Sequence, residues 1–560
     1  MHDLLIRNAR IVDGTGAPAR TGNLAVDGGR IAAVGADAGG PARETLDAGG
    51  LVLAPGIIDT HTHYDAQVTW DPALASSTSL GVTTAIIGNC GFTVAPCRAE
   101  DRDLVMRNLT QVEGMSLEAL REGIRWDFET FPDYLRMLDA VPLGLNVAAF
   151  IGHSSVRTYV MRDEAPRRAA TPEEIGRMRD LVRDGLAAGA VGFSTTTSPA
   201  HNGDGGIPMP SRMATEEELV ALTDTLREHG RGTFMLTKGG GTRVPFLEEI
   251  AARNGRPVVI AALLHNSTNP RVVFDDLDAI AAANARGRRL LGAVSCCPLT
   301  FEFTLRAPYP LEGLDAWKPA FEARGDSVRK VLADPSFRQA IRDELAHPAP
   351  VRLFNGEWHK LHVTQVAIAR HADREGRSVG EIAAASRADP LDVMLDLALA
   401  EDLATVFTST LLNSDEEAVG RMLNHPNSLV TLSDAGAHLT FFNDAGFGLH
   451  LLGHWVRELG AMSLERAVHR LTGQAAEVFG IPGRGYLAPG MAADLMLFDP
   501  ATVGRGPRRR VFDLPAGAAR LDTPALGLHG VWVNGVRVTD AHGSVGGVRA
   551  AGRLLREFSA

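Results

Sequence analysis

From residue 56 to about residue 480 the chain repeats one pattern, and that repeat limits the folds open to it. A short apolar run ends in a polar residue, and a longer segment with helical spacing follows. Eight runs fit: VLAPGIIDTHTH, TTAIIGNC, NVAAFIGH, AVGFSTT, GTFMLTK, PVVIAALLH, RLLGAVSCC and SLVTLSD. Strand candidates that alternate with helical segments are the signature of βα units and a parallel sheet. Eight such units predict an α/β fold, a (β/α)8 TIM-type barrel.

The flanks read differently. Residues 1–55 carry short β-rich runs split by Asp-Gly and Gly-Gly, and the texture returns in GYLAPGMAADLMLFDP and GVWVNGVRVTD near the other end. These are hairpin signals. They predict a small discontinuous β-sandwich domain built from residues 1–55 and 481–545, with 546–560 as a C-terminal tail. A chain of 560 residues exceeds what one hydrophobic core serves, so more than one domain is expected. Within the barrel, residues 307–427 are too long for a connection and carry helical patterns of their own, so they read as an insertion before the last barrel strand. Two helix starts are legible. Thr171, followed by Pro172 and Glu174, and Thr215, followed by Glu218, each place a capping hydroxyl three residues ahead of an acid.

Each barrel-strand candidate ends at a polar side chain: His61 with His63, Cys90, His153, Thr195, Lys238, His265, Cys296 and Asp434. Barrel enzymes assemble their sites from the carboxyl ends of different strands. His61 and His63 stand at i and i+2, so on an extended chain both imidazoles line one side and reach one cation. Cys90 closes the next run, and thiolate with imidazole suits zinc. Each signal also has a structural reading. Two histidines at that spacing can mark a polar strand end, and a lone cysteine in an apolar run is commonly a core residue.

Composition removes other classes. The formal net charge is −11 with both signs mixed along the chain and no basic stripe, so a nucleic-acid backbone is a poor partner. The run Arg505 to Arg510 is short and reads as a solvated loop. No uninterrupted apolar stretch reaches the length of a membrane span, and MHDLLIRNAR lacks the pattern of an export signal. A cytoplasmic protein without membrane partners is the expectation. Four cysteines, two of them adjacent at Cys296 and Cys297, make no disulfide framework.

With these residues in view, the chain resembles the D-aminoacylase (N-acyl-D-amino-acid deacylase) group of the amidohydrolase superfamily. The resemblance rests on DLLIRNARIVDGTG, PGIIDTHTHYD, GVTTAIIGNCGFTVAP, NVAAFIGHSSVR, SLVTLSDAGAH and LTGQAAEVFGIPGRGYLAPGMAADLMLFDP. It implies that His61 and His63 bind metal, that Cys90 is a thiolate ligand, and that Asp434 acts as general base and touches the cation. The chain departs from the group at two places. A Thr-His-x-Arg phrase is replaced by Phe234 to Lys238, and a Ser-His-His-like phrase by Ala261 to Leu264, which leaves His265 as a substitute ligand. One zinc per chain, rather than two, is therefore expected.

The resemblance also implies a small substrate with a free carboxylate, which calls for a guanidinium fork. Arg157 and Arg212 are the best placed, with His153 and Lys238 as further substrate-binding candidates. The implied reaction is hydrolysis of a C–N amide bond in an N-acyl amino acid, of D configuration. Two alternatives stand beside it, a cyclic (hydantoin-like) amide hydrolase and a non-catalytic scaffold with a decayed metal site. The oligomeric state is left open, a homo-oligomer included.

Overall fold

The computed structural model describes residues 1–349, 352–546 and 550–559. Of the tail read as 546–560, residues 547–549 and 560 lie outside the described residues, as do residues 350–351 of the insertion. The chain forms two compact units. The first comprises Met1–Leu263, Asp276–Cys297 and Gly420–Ala560, and the second Leu264–Asp275 and Pro298–Val419.

The barrel belongs to the first unit. Its strands in chain order are Ile57–Asp59, Val82–Ile87, Asn146–Gly152, Gly192–Thr196, Thr233–Thr237, Val258–Leu263, Leu290–Val294 and Ser428–Val430. They are neighbours in that same order in one eight-stranded sheet, and each pair is parallel. The ring closes just beyond the first and last strands. Thr62 forms a parallel bridge with Ala435, and the Thr60 hydroxyl lies 2.8 Å from that of Thr431. Most barrel strands are buried at every position, which explains why their sequences read as continuous apolar runs rather than alternating ones.

The terminal segments share one nine-stranded sheet. Its seam is the antiparallel pairing of Val52–Pro55 with Leu495–Phe498, which sets Leu53 opposite Leu497. Leu4, Ile6, Leu24, Val26, Leu53, Leu495, Leu497 and Trp532 form its core, so residues from both ends of the chain bury one another. Each such aliphatic side chain contributes roughly 1.5–3 kcal/mol when fully buried. The tail is tied down as well: Arg553 O and Leu555 N bond the main chain of Val147 at 2.9 and 2.7 Å, at the start of the third barrel strand.

The second unit has its own sheet and core. Val406–Leu412 is the middle strand, antiparallel to both Leu299–Phe303 and Leu361–Gln365. Phe303, Trp317, Phe337, Leu395 and Phe407 are among its buried residues. The sequence placed this excursion at 307–427. Pairing of Leu299–Phe303 draws its start back to Pro298, and it ends at Val419. Residues 264–275 join it from a different loop, through the bridge of Asn266 to Leu412.

The two helix starts differ. Thr171 forms a complete capping box with Glu174 ahead of the helix Pro172–Ala188, which stops at Gly189 with φ 114. Thr215 accepts from Glu218 N in the same way ahead of Glu216–His229, but the Glu218 carboxylate turns into the protein.

Candidate metal centre

The first barrel strand ends at Asp59, and the chain stays extended through His61 and His63. Asp59 organises this stretch through its hydrogen bonds. It accepts from His61 N at 3.3 Å and from the Ser433 hydroxyl at 2.5 Å, and burial pushes its pKa up to about 7. The second strand ends at Ile87 and runs on into the turn Gly88, Asn89, Cys90 and Gly91. Asn89 Nδ2 donates to Thr62 O and Ile86 O, which ties this turn to the histidine segment. Gly88 has φ 82, and a Cβ there would lie 2.7 Å from Phe150 O, so glycine is required. Cys90 itself is left-handed at φ 57, a costly conformation for a non-glycine residue, and it turns the thiol towards the imidazoles.

The result is a cluster of three ligand atoms, from His61, His63 and Cys90, all within 4.8 Å of one another. All three residues are buried. Asp434 Oδ1 lies 3.3 Å from His61 Nε2 and 3.7 Å from His63 Nε2, and its side chain keeps 24% exposure. Cys90 Sγ stands 3.5 Å from His61 Nε2 and 3.1 Å from Thr237 Oγ1. Thr237 closes the fifth strand, in the stretch where the resemblance called for a histidine. A hydroxyl rather than an imidazole therefore meets the thiol.

Burial pushes His61 down to about 4, against the pull of Asp434, so at neutral pH this ring is uncharged and offers a lone pair. Burial opposes charge on His63 too, but Glu113, then Asp434 and Cys90, raise it well above the usual imidazole value. Burial would raise Asp434, yet His63 and His61 hold it well below the carboxylate range. Burial raises the Cys90 thiol, with His63 opposing. Two imidazoles, a thiol and a carboxylate are a donor set that fits zinc, and a divalent charge among them favours the thiolate.

Sequence reasoning passed over Glu113, His201 and His438. Glu113 Oε1 lies 3.1 Å from His63 Nδ1, brought there by the helix Arg102–Glu113. His201 and His438 feel the charges of Glu113, His63 and Asp434, and burial lowers both, His201 to about 4. SDAGAH did contain His438, but nothing in its spacing separated it from a loop residue.

The substrate candidates fare unevenly. His153 and Arg157 are withdrawn as substrate contacts, because both are fully buried against Glu218. His153 Nδ1 lies 2.7 Å from Thr195 Oγ1, and its Nε2 2.8 Å from Glu218 Oε1. Arg157 Nη1 donates to both Glu218 oxygens at 2.5 Å. Lys238 pairs with Asp276 at 3.0 Å. Arg212 donates from Nη1 to His201 O at 3.1 Å and to Asn202 Oδ1. It is half-buried, and among the described residues no carboxylate pairs with it. His265 belongs to the second unit, where Asn413 holds its main-chain N and O at 2.8 and 2.9 Å.

Residues 44–322 and 358–539 match the Amidohydrolase family. The chain is 31% identical over 567 residues to a D-aminoacylase of Alcaligenes xylosoxydans xylosoxydans, covering 100% of this chain and 98% of that protein. A solved D-aminoacylase, studied for one-metal activation and second-metal attenuation at its binuclear centre, is 29% identical, with both chains covered in full and a TM-score of 0.67. An N-acyl-D-glutamate deacylase of Bordetella bronchiseptica, complexed with zinc and a phosphonate inhibitor, is 28% identical over 99% of this chain and 100% of its own, with a TM-score of 0.67. The chain belongs to the amidohydrolase superfamily, and within it to the D-aminoacylase group.

Proposed function

We propose that this protein is a hydrolase of non-peptide C–N bonds, which cleaves a small N-acyl amino acid of D configuration and uses one zinc per chain. The observation that carries the reading is the convergence of His61, His63 and Cys90 within 4.8 Å, with the Asp434 carboxylate 3.3 Å from His61. Three protein ligands and an open position are what a hydrolytic zinc requires. When bound, such a cation supplies Lewis acidity for the amide carbonyl and lowers the pKa of a water towards ~7.

The protein's own groups do the rest. Asp434, partly exposed and held ionised, takes the proton from the attacking water as the C–O bond forms. It returns that proton to the departing nitrogen as the C–N bond breaks, so the site ends as it began. Arg212 is assigned to the free carboxylate of the substrate, because it is a half-buried guanidinium without an acid partner among the described residues, on the loop that carries His201. The D configuration is supported by the relatives, which are deacylases of N-acyl-D-amino acids. No helix among the described residues is long and apolar enough to cross a membrane.

The test is metal analysis of protein purified without chelator, followed by turnover of N-acetyl-D-amino acids, their L counterparts and a hydantoin. About one zinc per chain and hydrolysis of a D substrate support the reading. Turnover of the hydantoin alone replaces it with a cyclic amide hydrolase, and a metal-free inert chain replaces it with a scaffold.

A further inference from the structure

Glu113 is a buried carboxylate 2% exposed, and among the described residues neither arginine nor lysine pairs with it. Burying an ionised carboxylate is expensive unless something compensates it. The compensating group beside it is His63, whose Nδ1 stands 3.1 Å from Glu113 Oε1 while its Nε2, on the other edge of the ring, stands 3.7 Å from Asp434. We propose that Glu113 is a positioning residue of the metal centre: its carboxylate accepts the Nδ1 proton of His63, which fixes the tautomer and turns the Nε2 lone pair towards the cation. This rests on the hydrolase reading above. A neutral imidazole carries one N–H, so the partner of one nitrogen decides what the other can do.

The backbone is built to hold this carboxylate in place. Glu113 is the last residue of Arg102–Glu113, and Gly114, left-handed at φ 57, ends that helix. Glu113 O accepts from His438 N, and the Thr440 hydroxyl donates to Gly114 O at 3.3 Å. A Cβ at position 114 would lie 2.6 Å from the Phe441 ring, which would have to shift, and the positive φ favours glycine there as well. Helix end and the loop that carries Asp434 are thereby stitched together, and the two carboxylates stand 3.1 and 3.7 Å from opposite edges of one imidazole.

The experiment measures zinc affinity by competition with a fluorescent chelator, in the full chain and in Glu113→Leu, Glu113→Gln, His63→Ala and the His63→Ala/Glu113→Leu double variant. Partners of metal-bound imidazoles are worth about 10- to 100-fold in affinity. Glu113→Leu is expected to lose that much, and Glu113→Gln, whose carbonyl still accepts from Nδ1, to lose less. In the His63→Ala background Glu113→Leu should change affinity by less than about 3-fold, since non-additivity is the sign of a shared partner. Cobalt(II) in place of zinc keeps a thiolate charge-transfer band from Cys90 and shows that the site is still formed. Unchanged affinity in Glu113→Leu, or an equal loss with and without His63, overturns the inference. Should the leucine variant not fold, Glu113→Asp serves. The Glu113→Asp chain, whose shortened carboxylate falls short of Nδ1, must bind zinc more weakly than the Glu113→Gln chain, and an equal or tighter affinity overturns the inference. A wild-type chain that takes up no zinc overturns the hydrolase reading first, and is told apart because no variant is needed to see it.

Discussion

Replacing Glu218 with leucine tests whether Arg157 is part of the fold or part of the site. The side chains of His153, Arg157 and Glu218 are all 0% exposed. Arg157 Nη1 donates to both carboxylate oxygens at 2.5 Å, and Nη2 to Ala165 O and Arg168 O at 3.1 and 2.8 Å. Removing the carboxylate leaves a guanidinium sealed from water with carbonyls as its remaining partners. Breaking one side of a buried pair costs about 3–5 kcal/mol, which raises the unfolded population by roughly two to four powers of ten. Replacing both ends with Glu218→Leu/Arg157→Met should recover most of that loss, because a buried pair exchanged for apolar groups is close to neutral. Native-state proteolysis in increasing urea reads the population of the opened state. Glu218 is also held below its ordinary pKa, burial being outweighed by His153 and Arg157. Its contribution is therefore complete above its unfolded value of about 4.3 and is lost as pH falls through the lower folded value. The leucine variant should lack that acid limb. A Glu218→Leu protein within about 1 kcal/mol of wild type, or an Arg157→Met protein with raised KM and unchanged stability, would refute the reasoning and return Arg157 to the substrate.

Three further outcomes are expected. Asp434→Asn should lower kcat by about 10²–10⁴-fold while zinc content stays near that of wild type, as befits loss of a general base; full turnover would remove Asp434 from the chemistry. Cys90→Ala should weaken zinc by more than about 10-fold in a chelator competition, and an unchanged value would make the thiol core packing. Arg212→Met should raise KM by roughly 10- to 150-fold, the equivalent of 1.5–3 kcal/mol for a hydrogen-bonded charge, with kcat nearly constant. Substrates whose carboxylate is amidated should not feel that change, and an equal effect on them would place Arg212 outside recognition.

Much of the barrel was legible because its signals are local. The strands are apolar runs closed by polar residues, and the structure finds them at Ile57–Asp59, Val82–Ile87 and onward in the expected order. His61 with His63 was readable because extended backbone puts i and i+2 on one side, and Cys90 because a thiol just past a strand end faces the mouth of a barrel. Arg157 misled because sequence gives no sign of burial: four residues beyond His153 on the helix His153–Met161, it turned inward to a carboxylate sixty-one residues away. Glu218 misled for a related reason, since a capping-box spacing is the same whether the acid caps its own helix or pairs elsewhere.

By itself the sequence determined the strand and helix periodicities, the zinc-suited donors at the ends of the first two strands, and the return of the C-terminal segment to the N-terminal sheet. Each of these is fixed by spacing along a few residues. Only the tertiary structure decided which carboxylates serve which histidines: Glu113 against His63, Glu218 against His153. It also decided that residues 264–275 belong with the second unit rather than with the barrel's. Those choices rest on contacts between segments far apart in the chain, where burial and charge pairing outweigh any local preference, and such contacts leave no periodic trace in the sequence.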